Sequence, residues 1–527
     1  LNKILILLRM KYFNFLFLLL LLPVVAKSQN STIQWQKSFG GGFEESARSV
    51  VQTPDGGYIV AGKSKSYEGD LTVNYGNFDF WVVKINTMGI LQWQKSYGGS
   101  GEDEATSIRN TSDGGYIVAG FTFSSDGNIT VNKGAADYWI VKLNANGDVE
   151  WQKTYGGPGN DRANAIKQTP DGGYVVAGFS NSVSGDITNS HGNNMDYWIL
   201  KLNSTGNIQW QKSIGGLSDD KAYDIDLTSD GGYIVTGDTS SSSSGDRSGN
   251  TQGGADVWVV KLSSIGNIVW EKAFGGSAAD LSFSVKQTKD GGYIVAGDTK
   301  SQNGDIIFNN GGNDYWIIKL NSAGNLEWQK TLGGGAYDRA QSIIQLSDGN
   351  YMAVGYSPSS DGDVIGNNGA VDYWLVKLNQ NGDFIWQKCL GGSGSEFPYS
   401  LIQSSDGGVV IAGESDTNNN SGDVTGNHGF RDFWIVILNS VLGVNESAIA
   451  NGISIHPNPA KNFFKINNLP MGTAVTIYDI SGRVILSQKY NQENISVDIS
   501  QIKNGNYIVK AENSGKVVLS EKLIIVH

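Results

Sequence analysis

Residues 91 to 151 read LQWQKSYGGSGEDEATSIRNTSDGGYIVAGFTFSSDGNITVNKGAADYWIVKLNANGDVEW, and this stretch recurs with changes from residue 33 to residue 439. Its first tryptophan belongs to the series Trp35, Trp93, Trp151, Trp210, Trp270, Trp328 and Trp386, each in a W-Q-K or W-E-K tripeptide and spaced 58 to 60 residues apart. A second series, Trp81, Trp139, Trp198, Trp258, Trp316, Trp374 and Trp434, follows an Asp and an aromatic residue or Val. Between them runs D-G-G or D-G-N, beginning at Asp55, Asp113, Asp171, Asp230, Asp290, Asp348 and Asp406. A period this long, with several short apolar runs per unit, marks a propeller or solenoid.

Within the quoted unit, Leu91 to Tyr97, Ala105 to Asn110, Tyr116 to Ala119 and Tyr138 to Leu143 read as four short strands rich in β-branched and aromatic residues. Asp113-Gly114-Gly115 and Asn146-Gly147 supply hairpin turns, since Gly accepts positive φ and Asp or Asn accepts hydrogen bonds from its own turn. Four strands per unit is the content of a propeller blade. The strand order resembles that of WD-type propeller repeats, which places A-x-S-I-x-Q on the central channel and the W-Q-K strand outermost. The predicted fold is all-β: a seven-bladed β-propeller of four-stranded blades over residues 29–439, then a small C-terminal β-sandwich. The repeat opens on an outer strand, Ile33 to Phe39, and closes on a third strand, Phe433 to Leu438, so the opening strand is expected to complete the last blade. Long segments of 16 to 18 residues, rich in Ser, Gly, Asn and Asp, separate the second and third strands. They and the G-G-x-x-x-[DE] connections fall on one face, the expected binding face. Segments 180–194 and 416–430 are expected to be exchangeable for short linkers with little loss of stability.

A net charge of −12, from 39 Lys and Arg against 51 Asp and Glu, argues against nucleic acid as a partner. Cys389 is the single cysteine, so no intramolecular disulfide forms. Met10 and Lys11 precede an almost wholly apolar run over residues 12–25, and Ala26 and Ser28 offer small residues for cleavage. Residues 1–28 therefore read as a signal peptide with its natural start at Met10, and no integral membrane segment is expected.

Residues that recur in every unit read as framework, and departures from the repeat are the informative positions: Val257, Val409, Asn350, Pro398 and Ile437. None is a nucleophile, base or metal ligand. The four histidines, His191, His428, His456 and His527, form no Ser-His-Asp or metal-ligating pattern with specificity. Carboxylates recur at Glu45, Asp103, Asp161, Asp220, Asp280, Asp338 and Glu396, and at Asp70, Asp186, Asp246, Asp305, Asp363 and Asp423 with Asn128 in the second unit. They read as solvated acids and Asx-turns, with calcium as the sharper alternative. Its best local case is Asp416, Asn418, Asn420 and Asp423, spaced like the start of a calcium loop.

Residues 440–452 read as a linker, and 453–527 as seven short alternating strands, a small sandwich. Ile455-His456-Pro457-Asn458-Pro459-Ala460, Ile477-Tyr478-Asp479-Ile480-Ser481-Gly482-Arg483-Val484, Gly505-Asn506-Tyr507-Ile508-Val509-Lys510 and Lys522-Leu523-Ile524-Ile525-Val526 occur there in order. With these motifs the tail resembles the type A carboxy-terminal sorting domain of the type IX secretion system of Bacteroidetes. The resemblance implies that Pro457, Asn458, Pro459, Gly482, Gly505, Tyr507 and Lys522 belong to the sorting motif. It further implies engagement of the secretion machinery, passage through the outer membrane, and a secreted or surface-attached product. The reading that follows is an extracellular binding scaffold for a polysaccharide or surface protein. A glycan-acting hydrolase and a surface-layer component are the competing readings.

Overall fold

In the computed structural model the described residues are 32–249, 251–418, 420–439, 454–457, 460–479, 483–513 and 516–527. The signal-peptide reading of 1–28 and the linker reading of 440–452 lie outside them. The chain forms two compact units, 1–439 and 440–527.

The first unit contains seven four-stranded antiparallel sheets. Blades 1 to 6 each run in chain order from the channel outward, blade 1 being Glu45–Gln52, Tyr58–Ser64, Asp79–Ile85 and Leu91–Tyr97. Blade 7 is composite. Glu396–Gln403, Val409–Ser415 and Asp432–Leu438 are joined by the opening strand Ile33–Phe39, which pairs antiparallel with Asp432–Leu438 from Ile33 opposite Leu438 to Phe39 opposite Phe433. The expected strand exchange is present, and with it the ring closes.

Aromatic pairs join the blades. In the third strand the residue before Trp packs on the next blade's Trp, as Tyr138 does on Trp198 at 4.6 Å, and Phe433 on Trp81 at 4.5 Å crosses the closure. These seven tryptophans are fully buried, and each indole N–H donates to the outer-strand residue after the W of W-Q-K or W-E-K, Trp81 to Gln94 at 2.9 Å for example. Six outer-strand tryptophans are only half-buried. They pack against a Tyr of the next blade, Trp93 on Tyr116 at 6.2 Å. The two series are therefore unequal, one core and one rim.

Blade 7 explains two departures from the repeat. In the other blades the third-strand Lys is buried and reaches the D-G-G carboxylate, Lys84 to Asp55 at 2.8 Å. Asp55 is thus more than a turn residue: burial would raise its pKa, but Lys84, Thr53 and the Gly57 N–H hold it at about 2. In blade 7 that Lys is Ile437, which packs in the core opposite Trp35. Val409 stands where other blades put the Tyr that meets the rim tryptophan, and its partner Trp386 is the one rim tryptophan that is buried.

The second unit packs Ser454–His456, Phe463–Asn467 and Ile495–Asp498 as one sheet. Thr473–Asp479, Val484–Tyr490, Gly505–Asn513 and Lys516–Ile525 form the other. Phe464, Ile466, Val475, Ile477, Val509 and Leu523 lie in the core of this sandwich.

Candidate functional site

The innermost strand of every blade carries a β-bulge where it pairs with the second strand. In blade 1 Ala47 faces Gly62 and Ser49 faces Ala61, so Arg48 has no partner. The same residue is skipped in the other six blades, at Thr106, Asn164, Tyr223, Phe283, Gln341 and Tyr399. A bulge re-aims its extra side chain, and here all seven line the central channel. Opposite each bulge stands a second-strand glycine. At Gly62 a Cβ would collide with the Ser46 carbonyl, so the close approach requires glycine.

This ring breaks the sevenfold symmetry that the framework keeps. Arg48 lies over the Tyr399 ring at 3.9 Å and bonds Glu104 at 2.8 Å, and Glu104 also takes Lys63 at 2.7 Å. Burial disfavours the Arg48 charge, yet Glu104 and Tyr399 hold its pKa above the usual arginine value. Thr106 and Asn164 turn to neighbouring carbonyls, Asn164 Nδ2 to Ala222 at 2.7 Å. Tyr223 and Phe283 pack together at 5.2 Å. Three residues further along the strands, the wall is apolar at Val51, Ile344 and Ile402 and basic at Arg109, Lys167 and Lys286. Lys167 pairs with Asp226 at 2.9 Å and Lys286 with Asp224. Burial pushes the Arg109 and Lys167 pKa values down, with Asp226 and Asp224 opposing.

At the mouth, on the long-loop face, Arg162 lies over Phe121 at 4.5 Å, and Arg339 lies over Phe283 at 4.6 Å while bonding Asp298 at 2.8 Å. Tyr67, Leu217, Ile307, Phe308, Ile365 and Phe430 are exposed apolar residues of the long loops and connections. Those segments are therefore less uniformly polar than their composition suggests.

The recurrent carboxylates differ from the solvated acids expected. Asp103 is fully buried, and its Oδ2 accepts the Gly99 N–H at 2.8 Å and the Ser124 hydroxyl at 2.8 Å. Asp79, at the start of the third strand, is equally buried, and its Oδ1 has no hydrogen-bond donor. A Cβ at Gly98 would overlap that carboxylate, so the first glycine of the Gly-Gly step exists to admit it. Burial, reinforced by Asp103, pushes the Asp79 pKa up to about 7 although the Tyr75 N–H opposes the shift. The long-loop acids also serve the framework: Asp186 accepts the Gly156 N–H at 3.1 Å, and its own N–H donates to the Gly156 carbonyl at 3.0 Å. Neither loop histidine is simply solvated. His191 lies 3.2 Å from Asp196 and 3.4 Å from Asp246, and His428 lies 2.8 Å from Asp432.

In the calcium candidate, Asp416 accepts the Ser395 N–H at 2.6 Å, Asn420 the Gly426 N–H at 2.9 Å and Asp423 the Gly391 N–H at 3.4 Å. Asn418 lines an open groove with Asp416 and Phe430. These three side chains thus already serve as acceptors within the loop. Among the described residues no group of three or more His, Cys, Asp or Glu is arranged to hold a metal. Of the sorting-motif residues, Asn458, Pro459 and Gly482 lie outside the described residues, and Pro457 follows a cis peptide bond. Gly505 and Tyr507 share one strand, with the Tyr507 hydroxyl donating to the Lys503 carbonyl at 2.8 Å, and Lys522 pairs with Ile508 on the next strand.

The bulge residues escaped sequence reading because they sit singly, 58 to 60 positions apart, in a strand where other positions vary too, as Val51, Arg109, Lys167 and Asp226 do. One signal was available: a glycine recurring inside the second strand of every blade, opposite the bulge.

Comparisons with known proteins place the tail: the model of the secretion system C-terminal sorting domain matches residues 454–526. Regulatory protein FlaEY of Caulobacter vibrioides is 24% identical over 421 residues, covering 70% of this chain and 43% of that protein, so the chain spans less than half of this curated relative. Among solved structures, PorZ is described as an essential bacterial surface component of the type-IX secretion system of Porphyromonas gingivalis. It aligns with a TM-score of 0.38 at 12% identity, over 94% of this chain and 61% of its own, less than two thirds. The Neurospora crassa Pan2 WD40 domain aligns with a TM-score of 0.39 at 9% identity, over 74% and 88%.

Proposed function

We propose that this chain is a binding scaffold that its C-terminal sorting domain directs through type IX secretion to the cell exterior. Its long-loop face and channel mouth there meet a polysaccharide or surface protein. The observation that carries the reading is the bulge ring. Seven blades keep the same tryptophans, glycines and buried acids, yet at the bulge present Arg, Thr, Asn, Tyr, Phe, Gln and Tyr in turn to the channel. Framework uniformity follows from packing; variation at a channel-facing ring on a rigid scaffold is what a ligand-facing surface requires.

Two measurements test it. Deleting residues 453–527 should leave a folded propeller inside the cell, and efficient export of the truncated chain would refute the sorting role. The full chain should retain glycans or outer-surface proteins on an array without releasing chromophore from chromogenic glycosides. Turnover would make it a hydrolase instead.

A further inference from the structure

The protein is acidic, with a net charge of −12, but its channel is not. A mouth cavity of about 550 Å³ and a waist cavity of about 230 Å³ share Arg48, Thr106, Asn164 and Tyr223, so they form one funnel. Its lining carries Arg162 and Lys221 at the mouth, Arg48 below them, and Arg109, Lys167 and Lys286 at the waist. Against these six cations the lining sets Glu104, held by Arg48 and Lys63, and Asp224, held by Lys286. Asp226, at the same strand position in the neighbouring blade, meets Lys167 at 2.9 Å, and Asp219 lies 3.5 Å from Lys221. Arg109 and Arg162 are bound differently. Arg109 donates Nη1 to Ser49 Oγ at 3.0 Å and to the Ile108 carbonyl at 2.6 Å, and Arg162 rests on the rings of Phe121 and Phe123. Among the described residues neither forms a salt bridge with a carboxylate, so each keeps guanidinium donors for an incoming anion.

The rest of the funnel indicates what should carry that anion. Phe179 and Tyr223, both part-exposed, line the mouth beside the amides of Asn160 and Asn164, while Phe121 is buried beneath Arg162. Stacking faces next to amide donors and acceptors suit a hydroxylated ring, and a low-dielectric cleft with an excess of one charge sign concentrates a ligand of the other. From this we infer that the funnel binds the end of an anionic saccharide, its carboxylate or sulfate drawn to Arg162 and Arg109 and its sugar ring set against the aromatic mouth. The inference rests on the binding-face reading above and names the ligand class for that site.

The full chain is titrated calorimetrically with an oligogalacturonate, a sulfated oligosaccharide, a neutral oligosaccharide of equal length, inorganic sulfate and a poly-glutamate peptide. Either anionic oligosaccharide should bind, the neutral one roughly tenfold or more weaker, with affinity falling as salt rises. Preference for the uronate or for the sulfated sugar identifies which anion is read. R162Q and R109Q should each weaken binding about tenfold or more at unchanged melting temperature, and R162K should recover part of it. Equal binding of the neutral oligosaccharide, or variants that bind like the parent, overturns the anionic inference while leaving a binding scaffold standing. Sulfate alone binding as well as the oligosaccharides overturns the saccharide part, and poly-glutamate binding with the same arginine dependence replaces it with an acidic protein. No binding by any probe overturns the anionic-saccharide inference, and no capture of the full chain on the array overturns the binding-scaffold reading with it.

Discussion

Arg247 occupies a long-loop position where the other blades bury Leu71, Ile129, Ile187, Ile306, Val364 or Val424, and Glu271 stands in W-E-K where six blades have Gln. The two changes belong together. Their side chains, 2% and 8% exposed, form a 2.7 Å ion pair, and the same Glu271 oxygen accepts the Trp258 indole N–H at 2.7 Å. Glu271→Gln keeps an indole acceptor but strands a buried guanidinium, and should cost about 3 to 5 kcal/mol in denaturant unfolding. The double change Arg247→Ile with Glu271→Gln restores the pattern of the other blades and should be near neutral. The buried acids give a second residue-scale expectation. Asp79 and Asp372 are lifted to about 7, and Asp137, Asp256, Asp314 and Asp432 to about 6, burial being the largest cause in each case. The native state therefore holds protons that the unfolded chain releases, so stability should rise as pH falls from about 8 towards 5. Asp55, Asp113, Asp171, Asp230 and Asp290 are held at about 2 by their lysines and turn hydroxyls against the pull of burial. Below about pH 4 the unfolded chain takes up the protons these groups refuse, and stability should fall. A melting temperature that rises steadily from pH 5 to 8 would contradict this account.

Among the elements, the long loops are the largest revision. Their composition suggested exchangeable polar segments, but Ile187 and Val424 are buried, and Asp186 and Asp423 lock the Gly-Gly steps Gly156 and Gly391. Replacing 180–194 or 416–430 by short linkers should therefore lower the melting temperature as well as any binding, and Ile187→Ala alone should cost about 2 to 5 kcal/mol. The two tryptophan series should separate in the same assay. Trp139→Ala should cost about 3 to 5 kcal/mol, and Trp328→Ala, at a half-buried ring, distinctly less. Strand positions and turns were legible in the sequence because period-2 alternation and Asp-Gly or Asn-Gly turns are local signals. The partners of Asp55 or Glu104 were not, because Lys84 lies across its own sheet and Arg48 on the next blade, and composition carries no register between them.

On the scale of the whole molecule, the ring, its closure and the sandwich tail could all be read beforehand, since each rests on repetition or on ordered motifs. The funnel could not. Its character comes from residues of different blades meeting across an axis, Arg109 from one and Ile344 from another, a juxtaposition that exists only once the circle is made. Removing residues 32–39 should leave Asp432–Leu438 as a bare edge and strip Phe39 from the core between blades 7 and 1. Protease resistance of the whole propeller should fall with it, and resistance confined to blades 2 to 6 would show that closure is local in effect.

The strand pair that seals blade 7 joins residues about 400 positions apart, the first strand of the repeat to the last. During synthesis the opening strand must wait for nearly the entire propeller to be made before its partner exists. A chain stopped anywhere before residue 438 keeps a raw strand edge and an uncovered flank, a handle for proteases and holding chaperones. Closure thus depends on length: only a chain made through residue 438 can cover both raw edges of its last blade.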